Sequence, residues 1–221
     1  NAYDMNMYLS ISPELYLKRL IIGGFEKVYT ICKNFRNEGV DKSHNPEFTM
    51  LELYWAYADY NDIMNITEDL ILYVAKKVNK TTKIKYQGKN IELKKPWKKL
   101  TMKDSIKKYL KINVDKLNDE EIKDYLRNNN IEYEGEFNRG LATELIFESL
   151  VQDKLIQPIF IIDHPRETTP LCKPKRGDNN IIERLEPYIN GWEIGNGYSE
   201  LNDPILQREL LEKQAKQRIV E

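Results

Sequence analysis

With two histidines and two cysteines among 221 residues, the chain is short of the groups on which most metal and nucleophile chemistry rests. Cys32 and Cys172 lie far apart, in no CxxC or Cys/His cluster, which argues against a disulfide framework or a structural zinc site and suits a cytosolic compartment. His44 and His164 give no serine or cysteine a persuasive base partner, so catalysis through a protein nucleophile is not indicated. No apolar run approaches the roughly 18 residues of a membrane span, and the opening NAYDMNMYL lacks the basic and apolar regions of a signal peptide; no membrane partner is expected. Excess charge is also missing: at a net charge of -1, any contact with RNA has to rest on local patches. What is present, 41% hydrophobic and 31% charged residues, is the profile of a soluble globular protein with one good core or a core carrying an inserted subdomain.

Along the chain, Tyr8 to Ile11 reads as a short strand, and Ser12-Pro13 as a helix start running to about Leu20 and stopped by Gly23-Gly24. Lys27 to Phe35 and Phe48 to Tyr57 read as two strands joined by a long loop. From Asn61 to Asn79, Ile63, Ile66, Leu70, Ile71, Val74 and Val78 recur at helical spacing. Lys83 to Leu93 reads as a hairpin, followed by short helices at Met102 to Leu110 and Asp119 to Asn129. Its lysines are read as a solvated face rather than an RNA site. Arg139 to Leu155 is a helix and Pro158 to Asp163 a buried strand, ended by His164-Pro165, where His164 reads as a turn residue. A polar loop is expected at Lys175 to Asn180, and a helix from Pro204.

In the second strand the two-residue period puts Thr49, Leu51, Leu53, Trp55 and Tyr57 on one side, an ordinary core face. The other side carries Phe48, Met50, Glu52, Tyr54 and Ala56. An aromatic, a carboxylate and a phenol together, with Arg36 and Glu38 beyond the preceding strand, form either a binding surface or a ladder of surface salt bridges.

Phe35-Arg36-Asn37-Glu38 followed by His44-Asn45-Pro46-Glu47-Phe48-Thr49, with Ser12-Pro13-Glu14-Leu15-Tyr16-Leu17-Lys18 before them, resembles motif 2 and its surroundings in class II aminoacyl-tRNA synthetases, in their lysine-specific form. The resemblance runs across nearly the whole chain. It implies an α/β fold of α+β type, an antiparallel sheet flanked by helices with an inserted helical subdomain: core at 1–79, insertion at 80–137, and core again at 138–221. It further implies ATP as a substrate with Mg2+, lysine and the acceptor end of tRNA(Lys) as partners, and a homodimeric parent enzyme. By the same resemblance Arg36 is the catalytic cation, Glu38, His44, Asn45 and Phe48 join it around ATP, and Asn37 to Ser43 meet the tRNA. Glu14, Arg36, Glu52 and Tyr54 contribute to the lysine pocket.

A second constellation follows. Asn190-Gly191 is a strong two-residue hairpin signal that sets Ile189 opposite Trp192 and Tyr188 opposite Glu193. Glu186 then shares a face with Glu193 at a diagonal, where Cα atoms stand about 7–8 Å apart. On spacing alone the pair is two solvated glutamates or a cation site; the resemblance assigns it to magnesium bound with ATP. Next, Asn196, Tyr198 and Glu200 share parity in GNGYSELNDP. A lysine ligand needs a carboxylate at the end of an apolar or aromatic slot. Glu200 and Tyr54 fit that need, and the resemblance places Asn196 at the lysine carboxylate.

The resemblance also implies parts that do not occur here: an anticodon-binding barrel and dimer-forming segments upstream, and a glycine-rich strand with a second arginine downstream. The expectation is most of a catalytic domain rather than a whole enzyme. Two alternatives stand beside it: a relative that activates lysine to modify a protein, and a lysine-binding module without turnover.

Overall fold

The computed structural model describes residues 3–37, 39 and 44–218. It falls into two compact units, 1–58 and 59–221. In the first, helix α1 (Glu14–Ile22) precedes strands β1 (Lys27–Phe35) and β2 (Glu47–Trp55), which pair antiparallel in an unbroken register from Lys27 opposite Trp55 to Phe35 opposite Glu47. The expected strand over Tyr8 to Ile11 does not form; one backbone bond, from the Phe35 amide to the Ser10 carbonyl, is what that segment gives the ladder. α1 starts one residue later than expected, with Pro13 at the cap, while Ser12 Oγ still accepts from the Glu14 amide at 3.1 Å. Its C-terminal turn closes on Gly23, and Gly24 takes φ +102, a conformation that costs an L-residue strain.

Which face of the hairpin is covered reverses the expectation. The side read as a core face is open: with Tyr29 and Ile31 opposite, Leu51 is 41% exposed and Tyr57 fully so. α1 instead lies over the polar side, drawn there by hydrogen bonds from Ser12 and by Lys18 over the Tyr54 ring. Asn34 is completely buried there, accepting from Ser10 Oγ.

The second unit opens with α2 (Tyr60–Asn79), capped by Asp59, whose carboxylate accepts from the Asn61 and Asp62 amides. The hairpin β3 (Lys83–Tyr86) and β4 (Lys89–Glu92) turns on Gln87-Gly88, both at positive φ. Then come β5 (Lys98–Thr101), α3 (Met102–Leu110), α4 (Asp119–Asn128), α5 (Arg139–Leu150), β6 (Ile159–Pro165), β7 (Pro174–Lys175), β8 (Asp178–Ile189), β9 (Trp192–Glu193), β10 (Gly197–Tyr198) and α6 (Pro204–Arg218). The main sheet runs β10-β8-β6-β5, with β7 and β9 also on β8; its pairs are antiparallel except β5 with β6. β5 has no signature in the sequence, because its KKLT has two exposed lysines at a sheet edge. His164 and Pro165 continue β6 past the expected end, and the expected polar loop at Lys175 to Asn180 shrinks to a turn between β7 and β8.

β6 shows why an unbroken apolar run was needed. Ile159 and Ile161 join the cluster built from α3, α4, α5 and Tyr188, whereas Phe160 faces Tyr60, Met64, Trp97 and Leu185 on the other side. The helices of the 80–137 segment therefore share one core with α5, β6 and β8. α2 docks through Tyr60, Met64, Glu68 and Ala75; of the predicted stripe, Ile63 and Ile71 pack partly buried against the same clusters, whereas Leu70, Val74 and Val78 are exposed. Glu68 is tolerated inside because its Oε1 accepts from the Trp97 amide at 2.8 Å and Lys95 stands beside it.

Candidate active site

Each unit carries part of the expected site. In the first, the single face of β2 gathers Glu52 and Tyr54, and the approach to α1 adds Ser12 and Glu14. Ser12 Oγ donates to Glu52 Oε1 at 2.9 Å, and the Tyr54 hydroxyl donates to Oε2 at 3.2 Å, so both oxygens of that carboxylate are held. Glu14 pairs with Lys18 at 2.6 Å, and the Lys18 ammonium stands 5.8 Å from the centre of the Tyr54 ring. The Lys18 ammonium is thus held between the Glu14 carboxylate and the Tyr54 ring, beside the carboxylate that Ser12 and Tyr54 fix.

Arg36 lies just past β1, anchored by its amide on the Pro46 carbonyl at 3.0 Å and by its Nε on Ile11 O at 3.2 Å. Its guanidinium carbon is 5.2 Å from the Phe48 ring centre, which brings the expected cation and the expected stacking ring together. Asn45 spends its amide on Glu47 O at 2.7 Å, and His44 is exposed. Glu38 and residues 40–43, most of the expected tRNA loop, lie outside the described residues.

In the second unit the Asn190-Gly191 turn forms as the sequence indicates, at φ +56 and +80, and sets Tyr188 opposite Glu193 and Ile189 opposite Trp192. Glu186 and Glu193 thus share the predicted face, with Glu193 exposed and Glu186 buried. Glu186 is already engaged: Oε1 pairs with Arg184 at 2.5 Å and Oε2 accepts from the Tyr188 hydroxyl at 2.8 Å. Burial, then the adjacent Glu186 charge, pushes the Tyr188 phenol well above its ordinary range. Among the described residues no group of three or more His, Cys, Asp or Glu side chains converges on a metal position. With both Glu186 oxygens held by Arg184 and Tyr188, Glu193 is the exposed carboxylate of the pair.

Asn196, Tyr198 and Glu200 alternate along β10 and the residues on either side of it: Tyr198 is opposite Arg184, and Glu200 bridges to Cys172. Ser199, pointing the other way, accepts from the Tyr60 amide and ties this strand to α2. Arg184 is the hub of the face, bonded to Asn196, Thr168, Glu144 and Glu186. Near it, burial raises the Glu144 carboxyl from 4.5 to about 7, with Arg184 opposing and Glu148 and Glu186 adding to the rise. His164 is fully buried, and desolvation lowers it from 6.5 to about 4, which keeps the ring neutral. Its lack of exposure agrees with a structural residue, although it sits in β6 rather than in a turn.

The model of the tRNA synthetases class II (D, K and N) matches residues 1–220. The chain belongs to this family. The lysine–tRNA ligases of Clostridium novyi (strain NT) and Clostridium botulinum (strain Langeland) are each 50% identical over 222 residues, which is 99% of this chain and 44% of theirs. That of Clostridium acetobutylicum is also 50% identical, over 43% of its length. The chain therefore spans less than half the length of these curated relatives. The family assignment agrees with the fold class expected from motif 2, and the mixed helices and antiparallel pairs follow suit.

Four polar residues of this class II domain escaped the sequence reading: Ser12 on Glu52, Lys18 on Glu14, and Thr168 and Glu144 on Arg184. Arg184 itself had a readable signal, since the turn at Asn190-Gly191 fixes the parity that puts it on the face of Glu186 and Tyr188. Glu144 and Thr168 had none, because their contact spans helix and strand.

Proposed function

We propose that the chain is most of the catalytic domain of a lysine–tRNA ligase, which activates lysine with ATP and passes the lysyl group to tRNA(Lys) in the cytosol. One observation carries this reading: 50% identity to lysine–tRNA ligases along 99% of the chain, in a stretch that holds both candidate constellations. The relatives lend no support to a protein-modifying paralogue or to a module without turnover.

In the proposed reaction a lysine carboxylate oxygen attacks the α-phosphorus of ATP, the bond to the bridging oxygen breaks, and pyrophosphate leaves with the electron pair. A terminal ribose hydroxyl of the tRNA then attacks the lysyl carbonyl of the adenylate, the ester forms with loss of the hydroxyl proton, and AMP leaves. Positioning and charge carry the step. Arg36 supplies a planar cation, tethered through Nε to Ile11 O and beside the Phe48 ring, of the kind that spans carboxylate and phosphate oxygens. Phe48 gives the adenine a stacking face, and Glu38, His44 and Asn45 surround the nucleotide. Glu14, Glu52, Tyr54 and Glu200 hold the two ammonium groups of lysine, Tyr198 lines the slot, and Asn196 meets the carboxylate. Glu186 and Glu193 would hold Mg2+, which neutralises phosphate charge when bound. Within this reading residues 80–137 are an insertion in the catalytic core, and the parent enzyme is a homodimer.

Lysine-dependent exchange of pyrophosphate into ATP, measured on this chain and on a version extended to the length of its relatives, tests the reading. Activity in the extended protein is expected. A folded extended protein that binds lysine without exchange moves the assignment to a binding module.

A further inference from the structure

Asn196 reads the carboxylate in the function proposed above, and the inference developed here rests on that reading. An amide side chain is nearly symmetric in shape but opposite in chemistry at its two ends: the oxygen accepts and the nitrogen donates. Which end faces a ligand is decided by what holds the other. Here Arg184 Nε donates to Asn196 Oδ1 at 3.0 Å, while the described residues offer Asn196 Nδ2 no acceptor. The end left for a ligand is thus the donor, as an anionic carboxylate requires. A flipped amide would turn lone pairs toward that anion.

The guanidinium that makes this choice is itself fixed on every side. Its Nη1 donates to Thr168 Oγ1 at 3.2 Å and reaches Glu144 Oε1 at 3.4 Å, and Nη2 pairs with Glu186 Oε1 at 2.5 Å. The Arg184 side chain is 15% exposed, so these contacts are poorly screened by solvent. Cross-strand pairing of Tyr198 with Arg184 brings Asn196 to the edge of the same face. A planar fork satisfies the three directions at once; an ammonium on a flexible stem does not.

We propose that Arg184 is a positioning residue for amino-acid recognition: it locks the Asn196 amide with its nitrogen toward the substrate carboxylate, and Thr168, Glu144 and Glu186 hold the guanidinium in the orientation that does so. Arg184 contacts no substrate atom in this scheme. The effect is therefore confined to ligands that carry the carboxylate.

The test uses the protein extended to the length of its relatives, without ATP, and measures affinity by calorimetry for lysine and, by competition, for cadaverine, which keeps both ammonium groups and lacks the carboxylate. Arg184→Lys is expected to weaken lysine about tenfold and to leave cadaverine within about twofold. Asn196→Ala should do the same, and the double variant should be no worse than either single one, because both remove one interaction. Equal losses for the two ligands, unchanged lysine affinity in Arg184→Lys, or losses that multiply in the double variant would each overturn the proposal. Should Arg184→Lys not fold, Thr168→Ala takes its place, since it removes one support and leaves both carboxylates paired; a smaller loss confined to lysine supports the proposal, and no loss overturns it. A parent protein that binds no lysine removes the functional reading and this proposal together, whereas normal binding with an indifferent Arg184 variant removes the proposal alone.

Discussion

Replacing Glu144 by glutamine and His164 by asparagine should unmask two titrations that run in opposite directions near one buried arginine. Glu144 holds its proton to about pH 7 in the folded protein against an ordinary 4.5, so between those values the folded state binds more protons than the unfolded chain and stability falls as pH rises. His164 is lowered from 6.5 to about 4, so the unfolded chain takes up a proton first and stability falls as pH drops through that range. At about 1.4 kcal/mol per pH unit, each accounts for about 3 kcal/mol over its window, and between pH 4.5 and 6.5 the two slopes nearly cancel. Urea unfolding followed by tryptophan fluorescence at several pH values isolates each term as a difference from the parent, in which the other groups drop out. Glu144→Gln should gain about 3 kcal/mol relative to the parent between pH 4.5 and 7, whereas His164→Asn should gain a similar amount as pH falls from 6.5 to 4. A Glu144→Gln difference that stays flat across its window would refute the desolvation argument, and the same holds for His164→Asn.

Glu200→Gln should leave thermal unfolding unchanged and weaken lysine binding by roughly ten- to hundredfold, because it removes the counter-charge at a half-buried residue whose backbone bridges to Cys172; equal affinity in calorimetry rules out that pocket assignment. Arg36→Ala in the extended protein should lower lysine-dependent pyrophosphate exchange by roughly a hundredfold or more, and normal turnover would mean that motif 2 has been misread. Gly191→Ala places a methyl 3.2 Å from the Asp153 Cα at φ +80, where both strain and crowding act, and should cost about 1–2 kcal/mol in urea unfolding. Neutral behaviour there would show that the hairpin can shift away from Asp153.

Local chemistry made much of this protein readable. The Asn190-Gly191 turn requires two positive φ angles, and a two-residue loop leaves a single register, so the common face of Glu186, Tyr188 and Glu193 was set by sequence. The spacing from Ser12 through Phe48 identified the family because it carries more information than any periodicity, and side-chain alternation placed Glu52 with Tyr54 and Asn196 with Tyr198. Periodicity alone failed where partners decide burial. On α2 the apolar stripe leaves out Glu68, whose place inside depends on the Trp97 amide and Lys95 far along the chain, and the apolar side of β2 has the pattern of a core face although α1 covers the other side. β5 was invisible because an edge strand of KKLT gains its place by pairing with β6 rather than by its own pattern. Only the tertiary structure assembled the guanidinium of Arg184 with Glu144, Thr168 and Asn196, since hydrogen bonds between distant segments depend on directions that a linear pattern does not contain.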